Sequence, residues 1–186
     1  MAKREGADAT IETMLGVRQA RLFTDEKVTQ EEIDTLLEVA RWTGSGRNTQ
    51  PWHFIVVQDK DMLRQISETR PNNPWVADAP LAIVIVLDGR ATPQETYDEG
   101  RVTERLFIAA RALGLSGGTA WWADSELAPA VREALGIPED KISRSAVVLG
   151  HPITHKDHRP NANIPGRKPL EEIVSWGVYG TSSRDA

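Results

Sequence analysis

Leu81-Ala82-Ile83-Val84-Ile85-Val86-Leu87 is the longest apolar run in the chain, and Asp88-Gly89 closes it in a turn. Alternate side chains of a strand point to opposite faces, so a run with no polar member leaves neither face for water. The segment reads as a buried strand covered on both sides. It falls far short of the roughly 20 apolar residues that span a bilayer. Nor does an apolar core follow the basic residues of the N-terminus, so no secretory signal is read. Upstream, Phe54-Ile55-Val56-Val57 is a second buried strand, and Asp59-Lys60-Asp61 starts a helix between the two. Downstream, Ala146-Val147-Val148-Leu149 is a third strand, stopped by Gly150 and Pro152.

Around these strands the apolar period changes to that of helices. Thr29 followed three residues later by Glu32 is a capping box, and Ile33, Leu36, Leu37 and Ala40 form the apolar face behind it. Ile11, Met14, Leu15 and Val17 predict an earlier helix over residues 9–20. A long helix is expected over residues 93–113, ended by Gly114, and a shorter one over 125–135, closed by Gly136. Helices interleaved with few strands give an α+β architecture around one small sheet. A single domain over residues 1–186 is expected, with 1–8 frayed and 151–186, rich in Pro and Gly, forming an extended arm.

Composition narrows the function. The 186 residues suit one domain, and 22 Lys and Arg against 27 Asp and Glu leave a net charge of −5, with no cationic surplus for nucleic acid. With no cysteine, the chain offers no disulfide scaffold, thiolate metal site, Fe–S cluster or cysteine nucleophile, so redox chemistry requires a bound cofactor. A cytoplasmic location is the default expectation.

Four segments carry chemistry. Within residues 17–23, Arg18 and Arg21 are three apart, able to reach one anion from a helical turn or to form a solvated face near a helix C-terminus. Residues 43–52, TGSGRNTQPW, pack donors and acceptors between glycines, suited to reading a polar heteroaromatic ring or to an ordinary turn. Residues 114–122, GLSGGTAWW, lack the dinucleotide G-x-G-x-x-G spacing and follow a helix. They read as a flexible stretch along a flat ligand, or as a link ending in core tryptophans. Arg167-Lys168, flanked by prolines, is a phosphate candidate or an exposed basic turn. His151, His155, Asp157 and His158 cluster in a loop bracketed by Pro152 and Pro160, and no metal site is assigned to them. No triad or paired-carboxylate arrangement suggests a catalytic side chain.

Together, in this order, the segments resemble the nitroreductase family of FMN-dependent NAD(P)H oxidoreductases. The most specific match is Ser45-x-x-Asn48-x-Gln50-Pro51-Trp52 running into His53-Phe54. Residues 17–23 resemble the family's Arg-Arg-Ser-x-Arg-x-Phe opening, and Leu135-Gly136-Ile137-Pro138, Leu149-Gly150-His151-Pro152 and residues 167–172 match its recurrent phrases. Val17 and Gln19 depart from the usual Arg and Ser, and Trp121 from a smaller or acidic residue.

The resemblance implies a nitroreductase-like α+β fold, with a central, mostly antiparallel sheet flanked by helices and an extended C-terminal arm. It implies FMN held by Arg18, Gln19, Arg21, Ser45, Asn48, Gln50, Thr119, Ala120, Trp121, Trp122 and Arg167. Arg18 and Arg167 would clamp the phosphate, and Arg21 would face the pyrimidine edge. Hydride transfer would belong to flavin N5, with NAD(P)H as co-substrate, no metal and no catalytic side chain. A homodimer with FMN sites at the subunit interface would reduce nitroaromatic or quinone-type acceptors by a ping-pong cycle. Two other readings stay open: a flavin storage or sensor protein with little turnover, and a specialised branch such as a dehalogenase or peptide-modifying dehydrogenase.

Overall fold

A computed structural model of the chain describes residues 6–123, 125–153 and 166–181. Among these residues four strands form one sheet in the order β1-β2-β4-β3: β1 (Trp52–Val57), β2 (Leu81–Leu87), β3 (Ser116–Trp121) and β4 (Ile142–Gly150). All three pairings are antiparallel. Among the described residues, five α-helices surround the sheet: α1 (Ala7–Leu15), α2 (Gln30–Arg41), α3 (Lys60–Glu68), α4 (Thr92–Ala112) and α5 (Ala128–Ala134). None of the described helices is long and apolar enough to cross a membrane.

Every residue of β2 is buried, as its uninterrupted apolar sequence predicts. Leu81, Ile83, Ile85 and Leu87 join Ile33, Leu36 and Ala40 of α2 and Val102, Leu106 and Ala110 of α4 in one core. Ala82, Val84 and Val86 face the other way, against Leu63 and Ile66 of α3, Val131 of α5, and Trp122. The period-2 geometry of a single strand thus divides two cores, and each fully buried Leu or Ile stabilises the fold by about 1.5–3 kcal/mol. The capping box before α2 forms: Thr29 accepts from the Glu32 amide at 3.3 Å, and Glu32 accepts from the Thr29 amide at 2.8 Å.

Two elements differ from the periodicity. The first helix ends at Leu15 rather than near residue 20, because Gly16 terminates it and the next residues pair with the sheet. Residues 116–121, expected as a flexible link, are instead the edge strand β3, bonded along its length to β4. A stretch with two glycines has weak strand propensity of its own, and pairing to the apolar β4 overrides it. Residues 166–180 are exposed throughout, with a single 3₁₀ turn at Leu170–Glu172.

Candidate functional site

Residues 18–23 run alongside β3. Gln19 pairs with Gly117 in a parallel bridge, the Ala20 amide donates to the Gly117 carbonyl at 2.8 Å, and Ser116 Oγ donates to the Arg18 carbonyl at 2.9 Å. Arg18 and Arg21 are therefore carried on an extended ledge and not on a helical turn. Side chains alternate along it, so Ala20 is buried while Gln19 and Arg21 on either side are exposed.

Glycine makes this ledge possible. A Cβ at Gly117 would lie 1.7 Å from the Val148 carbonyl oxygen, inside any allowed contact, and one at Gly118 would lie 3.1 Å from the Trp75 ring. Trp75 forms the far wall. The Arg21 guanidinium lies 5.5 Å from its ring centroid, Phe23 packs at 6.3 Å on the same ring, and its indole N–H donates to the Asn72 carbonyl at 3.0 Å.

Along β3, Thr119 is half-buried and Trp121 exposed, whereas Ala120 and Trp122 are fully buried in the core. The Trp122 indole donates to the Ser143 carbonyl at 3.2 Å and supports the sheet from inside. Ala120 and Trp122, both expected to lie along a ligand, are packed in the second core with Leu63, Ile66 and Val131, and Trp75 packs against the same core.

The ledge opens at its start into a recess of about 270 Å³, walled by Gly16, Val17, Arg18, Phe107, Arg111, Leu115 and Ser116. Among the described residues, its charged lining is the two arginines. Arg18 Nη1 donates to the Leu15 and Val17 carbonyls, each at 2.7 Å, capping the end of α1.

Ser45, Asn48 and Gln50 sit elsewhere. Their loop enters β1 and lies on α4: the Gly46 amide donates to Asp98 Oδ2 at 3.2 Å. Ser45 Oγ accepts from the Gln50 amide at 2.8 Å, and the Ser45 carbonyl accepts from the Asn48 amide at 3.1 Å. Arg47, Asn48 and Gln50 have φ of 53°, 56° and 47°, in the left-handed region that favours glycine. Such strain costs on the order of 1 kcal/mol per residue and concentrates where a loop is held for a purpose.

The ledge and the loop occupy diagonal corners of the sheet. β1 and β3 are the two outer strands, and three strand spacings of about 4.8 Å place them ~14 Å apart. They also lie at opposite ends, since Trp52 is level with Leu87 while Gly117 is level with Leu149 and Leu81. One protomer does not bring Arg18 and Arg21 together with Asn48 and Gln50. Arg167 is exposed on the arm.

His155, Asp157 and His158 lie outside the described residues, and His151 Nε2 is buried without a hydrogen bond, 3.9 Å from Glu26 and 4.0 Å from Glu32. Among the described residues no group of three or more His, Asp and Glu could hold a metal ion.

Sequence reasoning missed the acidic stripe of α4. Glu95, Asp98 and Glu99 are buried at 4%, 1% and 4% exposure. Glu95 accepts from the Gly89, Arg90 and Ala91 amides at 2.8, 2.9 and 2.9 Å, and Glu99 accepts from Arg144 at 2.8 Å and Ser145 at 2.6 Å. In sequence the three carboxylates look like a solvated helix face. Their i, i+3, i+4 spacing is the one signal that they share a side. Neither Trp75 nor Arg111 belongs to a motif that the sequence singles out.

The family model described as the nitroreductase family matches residues 18–69, which contain both the ledge and the loop. A protein of Archaeoglobus fulgidus assigned as an NADH dehydrogenase/NAD(P)H nitroreductase is 37% identical over 147 residues, 75% of this chain and 83% of that protein. The FMN reductase [NAD(P)H] of Bacillus subtilis is 29% identical over 189 residues, 91% of this chain and 74% of that one. The solved structure of NfrA2 from B. megaterium superposes with a TM-score of 0.78 at 27% identity, covering 91% of this chain and 74% of that one. The fold and site thus define a nitroreductase-type α+β protein. The chain belongs to the nitroreductase family.

Proposed function

We propose that the protein is an FMN-dependent oxidoreductase that takes reducing equivalents from NADH or NADPH and passes them to nitroaromatic or quinone-type acceptors in a ping-pong cycle. The carrying observation is the arginine ledge on β3, open to solvent and leading at its start into a recess whose charged walls, among the described residues, are guanidinium groups. That donor set suits a phosphate dianion, and the stacked Arg21 suits the electron-rich edge of a reduced ring. The name of the B. subtilis relative, an FMN reductase, supports the same cofactor.

When bound, FMN supplies two-electron transfer, which no cysteine-free set of side chains here provides. The chain's residues bind and orient it. Arg18 and the arm's Arg167 hold the phosphate, and Arg21, fixed by Trp75, offers positive charge at the pyrimidine edge. Gln19 on the ledge, with half-buried Thr119 and exposed Trp121 on β3, is assigned to the flavin in the same reading. Ala120 and Trp122 contribute through backbone position only.

Ser45, Asn48 and Gln50 act on the flavin of a second copy, because their own ledge is at the diagonal corner. A homodimer is part of the proposal. The apolar side chains Leu170, Ile173, Trp176, Val178 and Tyr179 on the arm, with Ile11, Met14 and Leu15 on α1, are exposed and would be covered there. A cytoplasmic location goes with this reading and is tested by cell fractionation.

The purified protein is expected to be yellow or to take up FMN, and to bleach anaerobically with NADH or NADPH. A colourless protein that takes up no FMN overturns the proposal. Flavin binding without bleaching leaves a binder and removes the enzyme. Sedimentation of a flavin-loaded monomer removes the dimer.

A further inference from the structure

The recess at the start of the ledge contains a cation that the family pattern does not name. Position 17, where the resemblance expects the first arginine of the opening, is Val17, so one phosphate partner is missing from the ledge itself. The last turn of α4 brings Arg111 to the same recess, beside Val17, Arg18 and Ser116.

Gly16 makes room for its guanidinium. The backbone there, at φ −83° and ψ −8°, suits any residue, so conformation does not require glycine. A Cβ would instead meet Arg111 Nε at 3.0 Å and Nη2 at 3.3 Å, with the Glu12 carbonyl also at 3.0 Å. The guanidinium therefore lies flush against the turn between α1 and the ledge.

The two arginines are engaged differently. Arg18 Nη1 is committed to the Leu15 and Val17 carbonyls. Arg111 has no hydrogen bond or ion pair among the described residues, so its donors are available to a ligand. The C-termini of α1 and α4 both end here, and their carbonyls repel an anion unless cations offset them. One engaged guanidinium is a poor match for a dianion, and two make a fork-lined pocket.

We propose that Arg111 is a phosphate-binding residue of the flavin site, supplying from α4 the cation that Val17 removes from the ledge. The inference rests on the flavin reading above. It also implies selection for a phosphorylated flavin, FMN, over riboflavin.

Dissociation constants for FMN and for riboflavin, measured by fluorescence quenching on the whole apo-protein, test it. Arg111→Ala is expected to weaken FMN about tenfold or more while changing riboflavin less than about twofold, and Arg111→Lys should recover most of the loss. Arg111 is exposed, so the fold should survive, and thermal melting of the apo-protein checks this. If Arg111→Ala folds poorly, Arg111→Gln, of similar length but uncharged, is read by the same difference. Equal weakening of both flavins, or no change in either, overturns the proposal and leaves FMN binding intact. A wild type that binds neither flavin overturns the flavin reading, and the role of Arg111 with it.

Discussion

The ledge of residues 18–23 and the loop of residues 45–50 carry the site-like side chains of this chain, yet they are held in opposite ways. The ledge is extended backbone laid on a sheet edge, fixed by main-chain bonds to β3 and by the Trp75 stack. The loop is strained backbone with three non-glycine residues at positive φ, tied to α4 through the buried Asp98. A site built on main-chain pairing tolerates side-chain variation, as at Gln19, whose pairing to Gly117 runs through the backbone. A site held by one carboxylate depends on a residue far away in sequence.

The sharpest way to break the contrast is Gly117→Ala. The new Cβ meets backbone, which cannot swing aside, so β3 and the ledge must move, costing about 3 kcal/mol in urea denaturation and reducing FMN retention. Wild-type stability in this variant would show that the ledge is not pinned as described. Asp98→Ala should cost about 2 kcal/mol, because a charged acceptor for the Gly46 amide and Arg101 is lost. Protease should then cut first within residues 45–50; cleavage elsewhere would detach the loop's order from Asp98.

Trp75→Leu removes the ring beneath Arg21 and beside Phe23, for about 1 kcal/mol of stability. On the flavin reading it also shifts the midpoint potential of bound FMN, and an unchanged potential would remove Trp75 as the support of Arg21. Ser45→Ala, losing the acceptor of the Gln50 amide at the loop's exposed side, should cost only about 0.5 kcal/mol.

The smallest effect is in pH. At the end of α2, just before the loop, hydrogen bonds from Arg41 and then the Trp42 indole hold the Glu38 carboxyl well below its ordinary 4.5, at about 2. The lowered value means that the contribution is complete above pH 4.5 and fades as pH falls through about 2. The Trp42 indole N–H resonance should therefore stay fixed from neutral pH to 4 and move only below that. Movement near 4.5 would mean an unpaired carboxylate.

Much of this was legible in the chain. The apolar run of β2, the capping box of Thr29 and Glu32, and the turn glycines 114 and 136 each follow from local chemistry, and each lies where periodicity predicts. The first helix was read too long, because Val17 continues an apolar spacing that Gly16 has already interrupted. β3 was not legible, since Gly117 and Gly118 have no side chains to show a period. Within the candidate site, Arg18, Gln19, Arg21, Ser45, Asn48 and Gln50 could be picked out by residue type and order. Which of them share a corner could not, because that depends on strand order.

By itself the sequence determined the local elements and the kind of ligand chemistry available: arginines without cysteine, a Gly- and amide-rich loop, and one strand apolar on both faces. Only the tertiary structure decided that Ala120 and Trp122 are core, that Asp98 anchors a loop some 50 residues away, and that ledge and loop stand at diagonal corners. Local propensity acts over a few residues, within reach of a turn or cap. Pairing across a sheet joins segments with nothing in common but complementary faces and open hydrogen bonds, and those partners meet only once the chain has folded.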